Sequence, residues 1–148
     1  MTTNEEELLD VDEAVERLQE ALRLQYRSAL AYTMAAGSVV GFTYQHIGQS
    51  LWGFAELDLT DVRRLVEKIV SLGAQPTTDI APMRFSAAPD ELVEMLIEAE
   101  EEATEALQAC ISPTGREARS EALEHRMEHM IMRKQEQVDA LIRASRAG

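Results

Sequence analysis

Residues 11–40 read VDEAVERLQEALRLQYRSALAYTMAAGSVV, and their spacing decides the fold class. Val11, Val15, Leu18, Leu22, Gln25, Ala29, Tyr32 and Ala36 recur at steps of three and four, one face of a long helix. Asp10 followed by Glu13 fits an N-terminal capping pattern, and Gly37 and Gly41 loosen the far end. Outward from this stretch, a second helical phase over 44–72 carries Ile47, Leu51, Phe54, Asp58, Asp61, Leu65, Ile69 and Leu72 on one side. Gly73 and Pro76 stop it. Residues 74–88 hold Pro76, Pro82 and several small residues without a sustained period, so they form a connection. It is too long for a tight turn and reads as a crossover along a bundle.

A third helix over 89–112 begins at Pro89, with Asp90 and Glu91 complementing its dipole. It turns Leu92, Leu96, Ala99, Glu100, Ala103, Leu107 and Cys110 inward. Ser112-Pro113-Thr114-Gly115 breaks the chain before a fourth helix over 116–145, faced by Leu123, Met127, Met130, Val138 and Leu141. No alternating β-branched or aromatic run competes for a strand. The expected fold is all-α: an antiparallel four-helix bundle over 11–148 behind an acidic tail at 1–10, with one long crossover between the second and third helices.

Composition narrows the function classes. A chain of 148 residues, 45% hydrophobic and 28% charged, has room for one domain with a proper core. The net charge of −13 opposes nucleic-acid and anionic-membrane binding; it suits cations or basic partners, or simply keeps the protein in solution. No stretch approaches the roughly 20 apolar residues of a membrane span. The start of the chain is acidic and unlike a targeting signal. A single cysteine, Cys110, makes no internal disulfide, which points to a reducing compartment and a cytoplasmic protein. Phosphate loops, nucleophile motifs, internal repeats and zinc spacings are absent from the sequence.

The informative residues are the polar ones on apolar stripes. Asp58 interrupts the stripe of the second helix and Asp61 lies at its edge. Glu100 sits within that of the third, and Gln25 at the centre of that of the first. A buried carboxylate needs a proton, a partner or a metal, because leaving it charged and alone costs several kcal/mol or more. Lys134 lies on the inward face of the fourth helix, one turn beyond Met130, and could pair with them. If Asp58 and Glu100 meet in the core, at least one should have a raised pKa. His46 falls among Phe42, Tyr44, Trp52 and Phe54, an aromatic group suited to packing or an oligomer contact. His125 and His129 stand one turn apart on the fourth helix.

The stretch Leu22 to Pro76, with its "LRLQYRSALAY" and "DLTDVRRLVEKIVSLGAQP", resembles the first two helices of bacterioferritin and related ferritins, without a gap. The resemblance implies a ferritin-like bundle with iron or another divalent metal as cofactor, and a homo-oligomer. On its register Gln25 stands for the first-helix metal-binding glutamate, and Asp58 and Asp61 for the Glu-x-x-His pair of the second helix. Tyr32 matches a tyrosine near the site, and in "EEEATEALQACI" Glu100 matches the glutamate that bridges the metals. In the fourth helix, "EALEHRMEHMIMRK" has no second Glu-x-x-His. Two phases are open there. The apolar phase puts Met127 and Met130 at the ligand positions, whereas aligning His129 with the family histidine leaves Arg126 at the glutamate. The candidate metal set is therefore Gln25, Asp58, Asp61, Glu100 and His129. Without the histidine it is all oxygen, which suits Mg²⁺, Ca²⁺ or Mn²⁺ better than a di-iron centre. The family's haem-binding methionine is replaced by Leu59, so no haem is expected. The N-terminal "TTNEEELLD" lacks the basic residues of the DNA-protecting relatives. Three readings follow: a ferritin-like protein with an altered or lost metal site, an active ferroxidase and iron store, or a metal-free scaffold or interaction module.

Overall fold

A computed structural model describes residues 8–39 and 44–146. Four helices follow in order: α1 (Val11–Ser38), α2 (Gly48–Ser71), α3 (Pro89–Ala109) and α4 (Ala118–Arg146). Helix α1 lies against α2 and α3, and α4 lies against α3 and, more lightly, α2. Contacts run in opposite senses within α1/α2 and within α3/α4: Gln25 meets Asp58 and Tyr32 meets Phe54, while Leu107 shares a core cluster with Leu123 and Leu92 shares the other with Leu141. The bundle is antiparallel, as the periodicity predicts.

Local chemistry sets the helix ends. The Asp10 carboxylate accepts from the Glu13 backbone N–H and caps α1, and Pro89 opens α3 with Asp90 and Glu91 in its first turn. Gly73 has φ +89° just past α2, a conformation that a side chain opposes. Helix α2 starts at Gly48, later than expected from 44; Tyr44 to Ile47 instead form a turn, with Tyr44 bonded to Asp90. Helix α4 likewise begins at Ala118, after a turn through residues 110–113. The predicted end of the first helix at Val40, and Phe42 of the aromatic group, lie outside the described residues. Trp52 and His46 are exposed, and Phe54 packs edge-on against Tyr32.

The 74–88 connection runs along the bundle as a crossover. Gln19 donates to the Gln75 carbonyl and accepts from the Thr77 N–H, at 2.7 and 2.8 Å. The Tyr26 hydroxyl donates to the Thr77 carbonyl, the Ala81 N–H to the Arg23 carbonyl, and Arg84 pairs with Glu98 of α3. At the other end, Leu9 is buried against the core and its N–H donates to Glu117, so the last residues of the acidic 1–10 segment are docked.

The core has two apolar halves. One gathers Leu18, Leu22, Leu65, Ile69, Leu107, Leu123, Met127 and Met130. The other gathers Tyr32, Leu51, Ala55, Leu92, Leu96 and Leu141. Each fully buried Leu or Ile contributes about 1.5–3 kcal/mol of transfer free energy. Between these halves, on all four helices, lies a layer of buried polar residues: Gln25 and Ser28, Asp58 and Asp61, Glu100, and Lys134 and Gln137.

Candidate metal centre

The polar layer is where the candidate ligands meet. Gln25, Asp58 and Asp61 have no exposed surface and Glu100 has 1%. His129 is exposed, as is His125, because Met127 and Met130 take the inward positions of α4. The apolar phase is the one that the helix adopts. It brings four of the five candidate residues together and leaves the fifth on the surface.

Lys134, which is also wholly buried, reaches the centre of the layer. Its Nζ donates to Glu100 Oε1 at 2.9 Å and to Asp58 Oδ2 at 3.5 Å. The Gln137 amide, one turn further along α4, spans the other two oxygens of the same pair: Nε2 lies 3.3 Å from Asp58 Oδ1 and 3.1 Å from Glu100 Oε2. All four carboxylate oxygens of Asp58 and Glu100 thus have a donor from α4. Asp61 pairs with Arg133, which is half-buried at the edge of the layer. Gln25 Nε2 donates to the Asp58 backbone carbonyl at 3.1 Å. Three carboxylates therefore face two cations supplied by the chain itself.

The electrostatics follow from burial. Desolvation pushes the Asp58 carboxyl up from 3.8 to about 7; Lys134 opposes the rise and Glu100 adds to it. Burial alone would lower the Lys134 ammonium. The Glu100 and Asp58 carboxylates and the hydrogen bond to Glu100 outweigh it, and its pKa stands above the usual value. The two carboxylates thus favour the charged form of the lysine. Tyr32 is held neutral, raised well above its ordinary value by burial and then by Glu100 and Asp58. The Tyr32 hydroxyl, Gln25 Oε1, Ser28 Oγ, Asp61 Oδ2 and Gln137 Oε1 are buried without a hydrogen-bond partner in the protein.

A ferritin-like, diiron-carboxylate protein from Bacillus anthracis superposes with a TM-score of 0.82 at 24% identity, over 90% of this chain and 96% of that one. The fold is ferritin-like. Bacterioferritin from Rhodobacter capsulatus matches with a TM-score of 0.77 at 16% identity, over 95% of this chain and 84% of that one. A dodecameric thioferritin from Bacteroides fragilis, related to bacterioferritin, matches with a TM-score of 0.81 at 16% identity, over 92% and 86%. No family model matches the sequence, and no curated protein does.

The ferritin-like fold implies a pair of metal ions between the four helices. The residues present do not fit them. Asp58 and Glu100 are saturated by Lys134 and Gln137, Asp61 is held by Arg133, and Gln25 is neutral. The inward side chains of α4 at Met127 and Met130 offer thioethers, poor ligands for Fe²⁺. Among the described residues, no group of three or more His, Cys, Asp or Glu is placed to hold a metal ion.

Three contributors to this layer escape a reading of the sequence by ligand motif: Arg133, Gln137 and Ser28. Gln137 had a signal. It continues the inward row Met127, Met130, Lys134 at the helical spacing. Arg133 stands one residue from that row and reaches Asp61 only through the length of its side chain, which spacing does not encode.

Proposed function

We propose that this protein is a ferritin-like bundle whose metal site has been replaced by an internal ion-pair network, and that it works as a metal-free, homo-oligomeric scaffold or interaction module of the cytoplasm. The observation that carries the reading is the position of Lys134 Nζ between Asp58 and Glu100. A cation entering this layer would have to displace a tethered ammonium that loses nothing to dilution. The surrounding carboxylates also hold that ammonium charged.

Oxidation of Fe²⁺ in air, followed by ferric absorbance, tests the proposal. The expected rate is that of protein-free solution, with substoichiometric metal in protein purified without chelators. Catalysed oxidation that disappears in Asp58→Ala would overturn it.

The oligomeric part rests on α2. Trp52, Leu59 and Val70 are 50%, 51% and 56% exposed. At about 100° per residue they fall within roughly 20° of one another on the helix. A row of large apolar side chains on a solvent face suits burial against a second copy. The Bacteroides fragilis neighbour of the same fold is a dodecamer. The cytoplasmic part rests on Cys110, a free and buried thiol whose pKa burial pushes up to about 12, an inert form suited to a reducing compartment. Among the described residues no helix is long and apolar enough to cross a membrane.

A further inference from the structure

The face where α1, α3 and the 74–88 crossover meet carries a recess remote in character from the polar layer. It holds about 480 Å³, counting the solvent at its mouth, within the size range of small-molecule sites. Leu92, Met95 and Leu96 of α3 line it, the two leucines buried. Met34 of α1 and Phe85 of the crossover line it too, and they are 42% and 49% exposed. Ala31 and Ala99 complete the walls with single methyl groups, which leaves the space unfilled.

Two arginines bring charge to this apolar lining. Arg27 of α1 donates from Nη2 to Glu102 at 2.9 Å, and Arg84 of the crossover donates to Glu98 at 3.1 Å. The Arg27 side chain is only 14% exposed, and its Nε is buried without an acceptor. Nε and Nη2 share the edge of the guanidinium that a carboxylate grips with two parallel bonds. Half of that edge is empty, and a buried donor left unpaired is costly. Glu102 and Glu98 are 59% and 54% exposed, so either can turn to water at little cost.

We propose that this recess binds an apolar monocarboxylate, its carboxylate on the Nε–Nη2 edge of Arg27 in place of Glu102 and its apolar body against Leu92, Met95 and Leu96. The anion follows from the donors. A guanidinium only donates, and Arg84 adds a second positive charge to the lining. The net charge of −13 opposes an anion at a distance, but physiological salt screens it beyond about 8 Å, and the two guanidiniums act within that range. Met34, Met83 and Met95 supply flexible walls that adapt to a chain or a ring. The metal-free layer is a separate feature and stands whatever the fate of this site.

The test follows isotope-labelled methionine methyls by NMR while the full chain is titrated with decanoate, naphthoate or decanol. Met34, Met83 and Met95 should shift along a saturating curve with at least one of the two acids. Met127 and Met130, in the core, should stay still. The acid that binds tells a chain from a ring. Decanol should bind more weakly than the acid, because it lacks the second oxygen and the charge. Arg27→Gln should weaken the acid about tenfold or more and leave decanol as it was. Ala99→Phe, which fills the recess, should abolish both. Far-ultraviolet ellipticity checks that the variants keep their fold; if Ala99→Phe does not, the comparison of acid with alcohol in Arg27→Gln decides. Methyls that do not move at millimolar acid, shifts that reach Met127 and Met130 equally, or an acid affinity indifferent to Arg27→Gln would overturn the site.

Discussion

A lysine with no exposed surface is uncommon, and one that keeps its charge needs anions close by. Lys134 has two, and its neighbour Asp58 bears the consequence: burial lifts that carboxyl to about 7. The sign of the resulting pH dependence is unusual for an aspartate. Between its unfolded value near 3.8 and its folded value near 7, the native state holds a proton that the unfolded chain releases. Stability from this group is therefore complete below the lower value and is lost as pH rises through the upper one. Lys134, Glu100, Asp61 and Gln137 face Asp58, and Lys134 stays charged throughout because its own pKa is raised. Denaturant unfolding of wild type and Asp58→Asn across this range should show the wild type losing stability relative to the variant as pH rises, with no further change above the window. A pH-independent difference would mean that Asp58 is ionised throughout. The sequence exposes part of this layer and conceals part. Gln25, Asp58, Asp61 and Glu100 stand out because each breaks an apolar row, and Lys134 because it extends one. Gln137 continues the same row, whereas Arg133 does not stand out, since an arginine beside a row looks like any solvated residue.

The helices themselves were legible from spacing, because each buries one stripe and that stripe recurs at the helical period. In α4 the sequence pattern leaves two phases open. Eight inward positions settle it: Ser120, Leu123, Met127, Met130, Lys134, Gln137, Val138 and Leu141 form one continuous buried row. A turn of the helix that brought His129 inward would carry Leu123, Met127 and Leu141 towards solvent, losing about 1.5–3 kcal/mol for each. One imidazole cannot offset that. The residue should therefore be dispensable: His129→Ala is expected to change unfolding free energy by no more than about 0.5 kcal/mol. It should also leave the metal content of the purified protein as it was. A large loss in either measurement would place His129 in the core and revive the alternative phase. The spacing predicts the start of α2 four residues early because Tyr44 and Ile47 are apolar and buried yet belong to a turn; burial there comes from packing at the bundle's end, with Tyr44 tied to Asp90.

At the scale of the whole molecule, the layer and the surface are connected by what the bundle no longer needs. With cations of its own between the helices, each buried carboxylate of the layer has a charged partner within the chain. The features that remain unspent lie outside, above all the row of Trp52, Leu59 and Val70 on α2. Three large apolar side chains, each at least half exposed and aligned along one helix, gain little in a monomer. Burying them against the same row of a second copy gives a self-complementary contact of the kind that two-fold dimers use. Leu59 stands between the other two, so a charge there would be buried twice in a symmetric dimer, once from each chain. Leu59→Arg should then shift the protein to monomers in light scattering coupled to size exclusion, with far-ultraviolet ellipticity unchanged because the site is outside the core. His125→Ala, on the exposed side of α4, should leave the assembly intact. A wild-type protein that is monomeric at micromolar concentration, or a Leu59→Arg variant that assembles as before, would remove α2 from the interface.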